Sequence, residues 1–302
     1  MNRMQGKRCV VTGAGSGIGR ASALRLAVEG GHVLVVGRSA ANIDETVALI
    51  RAAGGSAEAM VAAGVSNVSV SIDGMEQAHE RLRGVPGGWR QAFAALANLR
   101  AAGARVTVNT QINRLTMHDV PQLLPRVHAA GIRAWQLQIT APFGNAGDHP
   151  EILLQPHMLI ELFDMLDAIV DEATRLGIGI WPANNLGYFG PLEAKLRRLQ
   201  KRGAHYKGCG AGRHQLGIEA NGDIKGCPSL GGPANVGGNI RQHSLREIWE
   251  RAEPLAYTRE RTEAELWGYC AECYYATVCR AGCTATAEPL LGRPGNNPFC
   301  HH

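Results

Sequence analysis

RCVVTGAGSGIG, residues 8–19, decides the fold. Val10, Val11 and Thr12 end a β-branched strand, Gly13, Gly17 and Gly19 follow, and a helix is predicted from about Ile18. A strand that turns on glycines straight into a helix opens a parallel βα unit. The same glycines let a backbone approach a pyrophosphate, and a helix N-terminus offers it free amide donors and a partial positive charge. Outward from this turn the pattern repeats. Strands are predicted at Arg8–Thr12, His32–Val36, 57–61, 68–72, 105–110 and Ala134–Ile139, and helices at 21–29, 42–53, 89–102, 120–130 and 153–176. Gly30, Gly54, Gly103, Gly131 and Gly177 stand where helices stop, the place for a left-handed residue. From about Pro191 the pattern changes: 193–202 is basic, and beyond it turns dominate with little periodicity until Leu245–Arg251. That loop-rich region needs ligation to hold it.

Composition narrows the class. The chain has 302 residues, 45% apolar and 19% charged, which suits a folded protein of about two domains. Gly is abundant at 38 residues and aromatics are sparse at 5%. Thirty-one basic against 26 acidic side chains give +5, too weak and too evenly spread for a nucleic-acid groove, so no nucleic-acid partner is expected. No apolar run reaches the 18 or so residues of a membrane span, and Met1 to Lys7 leads straight into a strand, so a cytoplasmic protein is expected.

The cysteines are uneven. Only Cys9 lies in the first 208 residues; Cys209, Cys227, Cys270, Cys273, Cys279, Cys283 and Cys300 follow. Cys270-x-x-Cys273 is succeeded by five residues to Cys279 and three to Cys283. In a reducing compartment this clustering favours metal over disulfides. Zinc usually takes two Cys-x-x-Cys knuckles and the chain has one, whereas iron–sulfur cubes tolerate wider, interleaved spacings, so iron–sulfur is favoured. The closing His301-His302 pair reads as solvated.

These motifs carry two resemblances. Residues 5–60, through Thr12 to Gly19, resemble the N-terminal half of the short-chain dehydrogenase/reductases. The resemblance implies a dinucleotide at Thr12, Gly13, Ser16, Gly17, Ile18 and Gly19, with Arg38 where that family often meets the 2′-phosphate of NADP(H). It stops there: no Tyr has Lys four residues on, so the family's acid/base pair is missing, and Asn184-Asn185-Leu186-Gly187 only echoes its Asn-Asn-Ala-Gly segment.

Residues 63–302 resemble radical S-adenosylmethionine peptide maturases. Val68 to Gly74 with His79, Arg83 and Gly84, Val106 to Asn113, and Trp135 to Thr140 are similar to the fourth, fifth and sixth strands of their barrel and the loops that follow. Ser71, Asp73, Asn109, Gln111, Gln136 and Gln138 stand toward strand C-termini, where barrel sites sit. Ser71, Asp73 and Arg83 are candidate cofactor contacts. The plainer alternatives are helix capping for Ser71 and Asp73, and surface charge for His79 and Arg83. Residues 209–300 resemble the SPASM domain, with two auxiliary 4Fe-4S clusters. By that resemblance Cys270, Cys273, Cys279 and Cys300 hold one cluster, and Cys209, Cys227 and Cys283 hold the other with one iron open. The family's Cys-x-x-x-Cys-x-x-Cys, which anchors and cleaves S-adenosylmethionine, occurs nowhere in the chain.

The expectation is an α/β chain of parallel βα units in three parts: a half Rossmann unit over 1–62, a partial barrel over 63–195 and a cluster domain over 196–302. Strand 68–72 is expected beside 57–61, although parallel neighbours need a connection of about a dozen residues. Functionally it reads as a two-cluster iron–sulfur protein resembling peptide maturases, not competent to cleave S-adenosylmethionine. The alternatives are an NADP-dependent oxidoreductase and a non-catalytic peptide-binding or electron-transfer module. A peptide substrate and a redox partner protein are the partners implied.

Overall fold

A computed structural model describes residues 3–37, 39–59, 67–199, 204–206 and 208–302. The chain is α/β and divides into two compact units. One comprises 1–72, 80–108 and 129–133, and the other 73–79, 109–128 and 134–302.

In the first unit β1 (Arg8–Thr12), β2 (His32–Val36) and β3 (Ser56–Ala59) form a parallel sheet in the order β1-β2-β3. Arg8 pairs with His32, and His32 with Ser56. Helices α1 (Gly17–Val28) and α2 (Ala40–Ala52) supply Ala23, Ala27, Ile43, Val47 and Ile50 to a core with Val33 and Val35. Ser39 starts α2 by accepting the Asn42 amide on its hydroxyl. Strand β1 is an edge of its sheet, and Val10 on it is 64% exposed.

A second sheet runs β4 (Asn67–Ser71), β5 (Arg105–Ile112), β6 (Ala134–Ile139) and β7 (Gly179–Pro182) in that order. Strands β3 and β4 therefore lie in different sheets, and the expected pairing of 57–61 with 68–72 does not form among the described residues. The intervening residues are too few for a right-handed crossover between parallel neighbours. Positions 60 and 61 lie outside the described residues. Between β4 and β5 come α3 (Glu76–Arg83), where the sequence suggested a loop, and α4 (Gly88–Ala101). Helix α3 has Glu76 in its first turn and Arg81 and Arg83 in its last, the arrangement its dipole favours.

Alternation in β5 and β6 separates two faces. Val106, Val108, Thr110 and Ile112, and Trp135, Leu137 and Ile139, are buried, and the Trp135 indole donates to the Thr110 hydroxyl at 2.8 Å. Asn109, Gln111, Gln136 and Gln138 occupy the opposite, half-buried face. Strand β7, which the sequence reading missed, pairs parallel with β6 and sets Trp181 opposite Gln136. Helix α5 (Val120–Ala129) precedes β6. Helix α6 (Leu159–Arg175) begins later than the predicted 153, because Pro156 holds Gln155 extended and a 3-10 turn over Pro156–Met158 must finish first. All five helix-stop glycines have φ between +72° and +89°.

The rest of the second unit has little regular structure. After α7 (Glu193–Leu196) come the short antiparallel strands β8 (Gly217–Ile218), β9 (Asp223–Lys225) and β10 (Val236–Asn239), ordered β10-β9-β8. Helices α8 (Leu245–Arg251) and α9 (Glu253–Glu260) close a small core of Ile224, Ile248 and Leu255. Three further short helices follow: α10 (Tyr269–Glu272), α11 (Ala276–Cys279) and α12 (Thr284–Leu291). Among the described residues no helix is long and apolar enough to cross a membrane.

Candidate metal centre

Short helices and turns aim the C-terminal thiols. Cys270 lies in α10, Cys273 just after it, Cys279 ends α11 and Cys283 caps α12. Cys279 and Cys283 are separated by Arg280, Ala281 and Gly282, all left-handed with φ of 51°, 62° and 61°. Two non-glycine residues in that conformation are strained and persist only where surrounding structure holds them. Ala281 is buried, and the Arg280 carbonyl accepts from the Arg261 guanidinium at 3.4 Å. At Gly282 a side chain would meet the Tyr188 ring at 2.9 Å.

All eight cysteines are free thiols. Cys270, Cys273, Cys279 and Cys300 line one cavity with Phe189, Tyr275, Ala276, Ala281 and His302. Burial pushes the Cys279 thiol up to about 12, with the other three thiols of this set adding to it. Burial also raises Cys270 and Cys300, and again the neighbouring thiols are of this set. Cys209 and Cys283 are raised by burial too, but their mutual neighbours are each other and Cys227. The Cys209 sulfur accepts the Ala211 amide at 3.4 Å and the Asn184 side-chain amide at 3.7 Å. Buried Arg261, bonded to the Thr284 hydroxyl at 3.0 Å, stands within electrostatic reach of Cys209. A buried cation suits a site that gathers thiolates.

The donors fit a cluster better than an ion. Among the described residues no three His, Cys, Asp or Glu side chains are gathered to hold a single metal ion. Tetrahedral zinc, at about 2.3 Å from each sulfur, requires such convergence, whereas a cube takes thiolates from around its corners. Four thiols ringing a largely apolar cavity meet the second requirement.

In the metal-free chain the unfolded thiols lose protons first, so stability should fall as pH rises from 9 toward about 12. Urea midpoints that rose over this range would contradict a buried, protonated Cys279.

The sequence reading missed the aromatic shell. Phe189 stacks on Tyr275 at 4.4 Å between centroids, and Tyr275 meets His302 edge-on at 4.9 Å. Tyr188, Tyr206 and Tyr257 are held well above the usual phenol range by burial first and by the thiols of the cluster region next. A signal existed: all six tyrosines fall between positions 188 and 275. The C-terminal histidines are not simply solvated as expected. His301 stacks on Phe163 at 4.1 Å, and His302 lines the cavity.

In the other unit the glycine turn is tightly built. Gly13 and Gly17 have φ of 67° and 52°, and a Cβ on Gly19 would stand 2.3 Å from the Gly13 carbonyl oxygen. The Ala14 amide bonds Val36 and its carbonyl accepts the Thr46 hydroxyl at 2.9 Å, which ties the loop to β2 and α2. Arg20 reaches back to the Gly15 carbonyl and pairs with Glu45 at 2.7 Å. Ser16 caps α1 without a side-chain bond, no acidic residue occupies the first turn, and Ile18 is 88% exposed. Thr12 is exposed at the end of β1. Arg38 lies outside the described residues. Gly19→Ala is expected to lower stability by about 1–3 kcal/mol, since backbone must move. An unchanged melting temperature would contradict this close approach.

The strand-end candidates divide. Asp73 is buried and accepts the Gln111 amide at 3.1 Å, while its own amide donates to His79 Nδ1 at 3.1 Å. His79 is 3% exposed, so the surface-charge reading of this residue is corrected: it anchors the turn after β4. Ser71 ends β4 exposed, and Arg83 is exposed in the last turn of α3. Asn185 clamps both the amide and the carbonyl of Ile139, which explains the Asn-Asn echo by a structural duty at β6.

Comparison with known proteins agrees with both ends of the chain. Residues 7–87 match the short chain dehydrogenase family, and 209–274 match the SPASM iron–sulfur cluster-binding domain. The AdoMet-dependent heme synthase of Nitratidesulfovibrio vulgaris is 27% identical over 82% of this chain and 67% of its own. The mycofactocin maturase MftC of Mycolicibacterium smegmatis is 29% identical over 78% of this chain and 57% of its own. Streptococcus suis SuiB has a similar fold, with a TM-score of 0.57 at 13% identity, covering 97% of this chain and 65% of that one. The chain is thus similar to radical S-adenosylmethionine/SPASM-type proteins, and it spans 67% and 57% of the lengths of these two curated relatives.

Proposed function

We propose that this chain is an iron–sulfur protein that carries two 4Fe-4S clusters of the SPASM type and does not cleave S-adenosylmethionine. The grouping of Cys270, Cys273, Cys279 and Cys300 around one cavity, which Cys209, Cys227 and Cys283 do not line, carries this reading. Iron and sulfide would supply an electron store, and the chain's part is to bury, orient and charge-balance it. The missing Cys-x-x-x-Cys-x-x-Cys removes the anchor for S-adenosylmethionine, so radical initiation is not assigned to Ser71, Asp73 or Arg83. A peptide is the substrate class we assign, since MftC is a maturase and SuiB has been seen bound to a precursor peptide. The working division is 1–62, 63–195 and 196–302.

Anaerobic reconstitution tests the reading, with about eight irons and eight sulfides per chain expected. One or two zincs without sulfide would overturn it. Incubation with dithionite and S-adenosylmethionine should yield no 5′-deoxyadenosine, and its appearance would restore the activity denied here.

A second reading concerns the glycine turn. The acid-free N-terminus of α1, where Ser16 makes no side-chain cap bond, supports a dinucleotide of the NADP(H) type beside Gly13 to Gly19. NADPH should raise the melting temperature. No shift at millimolar ligand would remove this reading.

A further inference from the structure

Seven thiols leave two four-donor sets one short, and the smaller set has an unusual neighbour. Tyr206 is 5% exposed, and its hydroxyl oxygen is enclosed with no hydrogen-bond partner among the described residues. Its position is clamped. The Tyr206 amide donates to Glu193 at 2.7 Å, the Arg197 guanidinium lies 4.6 Å over its ring, and the Tyr188 ring packs at 5.2 Å. Tyr188 makes an instructive contrast, because its hydroxyl donates to the Asn184 carbonyl.

Tyr206 is linked to the three-thiol set by the chain and through Tyr188, on which its ring packs. It stands three positions before Cys209. Asn184, which accepts from Tyr188, donates its own amide to the Cys209 sulfur at 3.7 Å. Tyr188 also lies against Gly282, next to Cys283. An enclosed O–H with nothing to bond loses its hydration without return, so a native site offers it an acceptor. Thiolate and sulfide sulfurs are the acceptors that this set of residues would bring.

We infer that the Tyr206 hydroxyl donates a hydrogen bond to a sulfur of the cluster held by Cys209, Cys227 and Cys283, and so raises the reduction potential of that cluster alone. This rests on the two-cluster reading above. A donor to sulfur stabilises the more negative, reduced cluster. Tyr206 is thereby a tuning residue and not a ligand.

The test is Tyr206→Phe in the full chain, reconstituted without oxygen, with Tyr188→Phe as control. Iron and sulfide are counted first. About eight irons in the parent chain keep the underlying reading, and a different count there sinks that reading before the inference is reached. Redox titration followed by electron paramagnetic resonance should then show one of two clusters about tenfold harder to reduce at a fixed potential, near 59 mV for one electron. The other cluster, and both in Tyr188→Phe, should stay put. Equal potentials in Tyr206→Phe and parent, or a shift confined to the four-thiol cluster, would overturn the inference. If Tyr206→Phe fails to assemble, the parent decides. Pulsed double resonance in heavy water should find an exchangeable proton coupled to the three-thiol cluster and lost from chains carrying ring-and-hydroxyl-substituted tyrosine analogues; its absence overturns the inference equally.

Discussion

Cys270→Ala/Cys273→Ala is expected to halve the iron and sulfide of the reconstituted chain, from about eight irons to about four. Those two thiols line the same cavity as Cys279 and Cys300, so their removal leaves that set with half its donors. A cube can lose one thiolate and persist, but two adjacent losses expose a face to solvent. Cys209→Ala/Cys227→Ala should halve the content as well, through the other set, and the two remaining spectra should differ. The combined variant should hold almost none. A double variant that abolished all iron would mean one shared cluster, and the allotment of thiols would be wrong.

Stripping the iron should have the second large effect. Residues 209–302 contain strands of two to four residues and a core of Ile224, Ile248 and Leu255, too little apolar surface to order so much backbone. Where ligands gather only in the folded chain, binding free energy becomes folding free energy. Chelation under mild oxidation should therefore speed amide hydrogen exchange across 209–302 by at least about tenfold, equivalent to about 1.4 kcal/mol of lost protection. Exchange around Val33, Val35 and Ile50, whose core is a separate apolar cluster, should not change. Protection that survived chelation would show the C-terminal region to be held by packing alone.

Much of this was legible in the residues. Arg8–Thr12 and His32–Val36 could be placed to the residue because β-branched runs bounded by glycines leave little freedom, and Ala134–Ile139 because apolar and polar residues alternate along it. Strand β7 was not legible: Gly179–Pro182 is four residues long and ends in proline, which local propensity reads as a loop. Nor was α3, whose helical signal is an amphipathic charge pattern with a single buried residue, His79. At the metal centre the thiols announced themselves by spacing. Tyr206, Phe189 and His302 did not, because nothing local distinguishes an aromatic that faces a sulfur from one that fills a core.

The left-handed run Arg280–Ala281–Gly282 ties Cys279 to Cys283, one from each donor set. Four peptide steps cannot stretch beyond about 14 Å. Under the two-cluster proposal, charge entering one cluster would have a covalently short route to the next. In that reading, residues inserted between Cys279 and Cys283 should slow transfer between the clusters while each cluster still assembles.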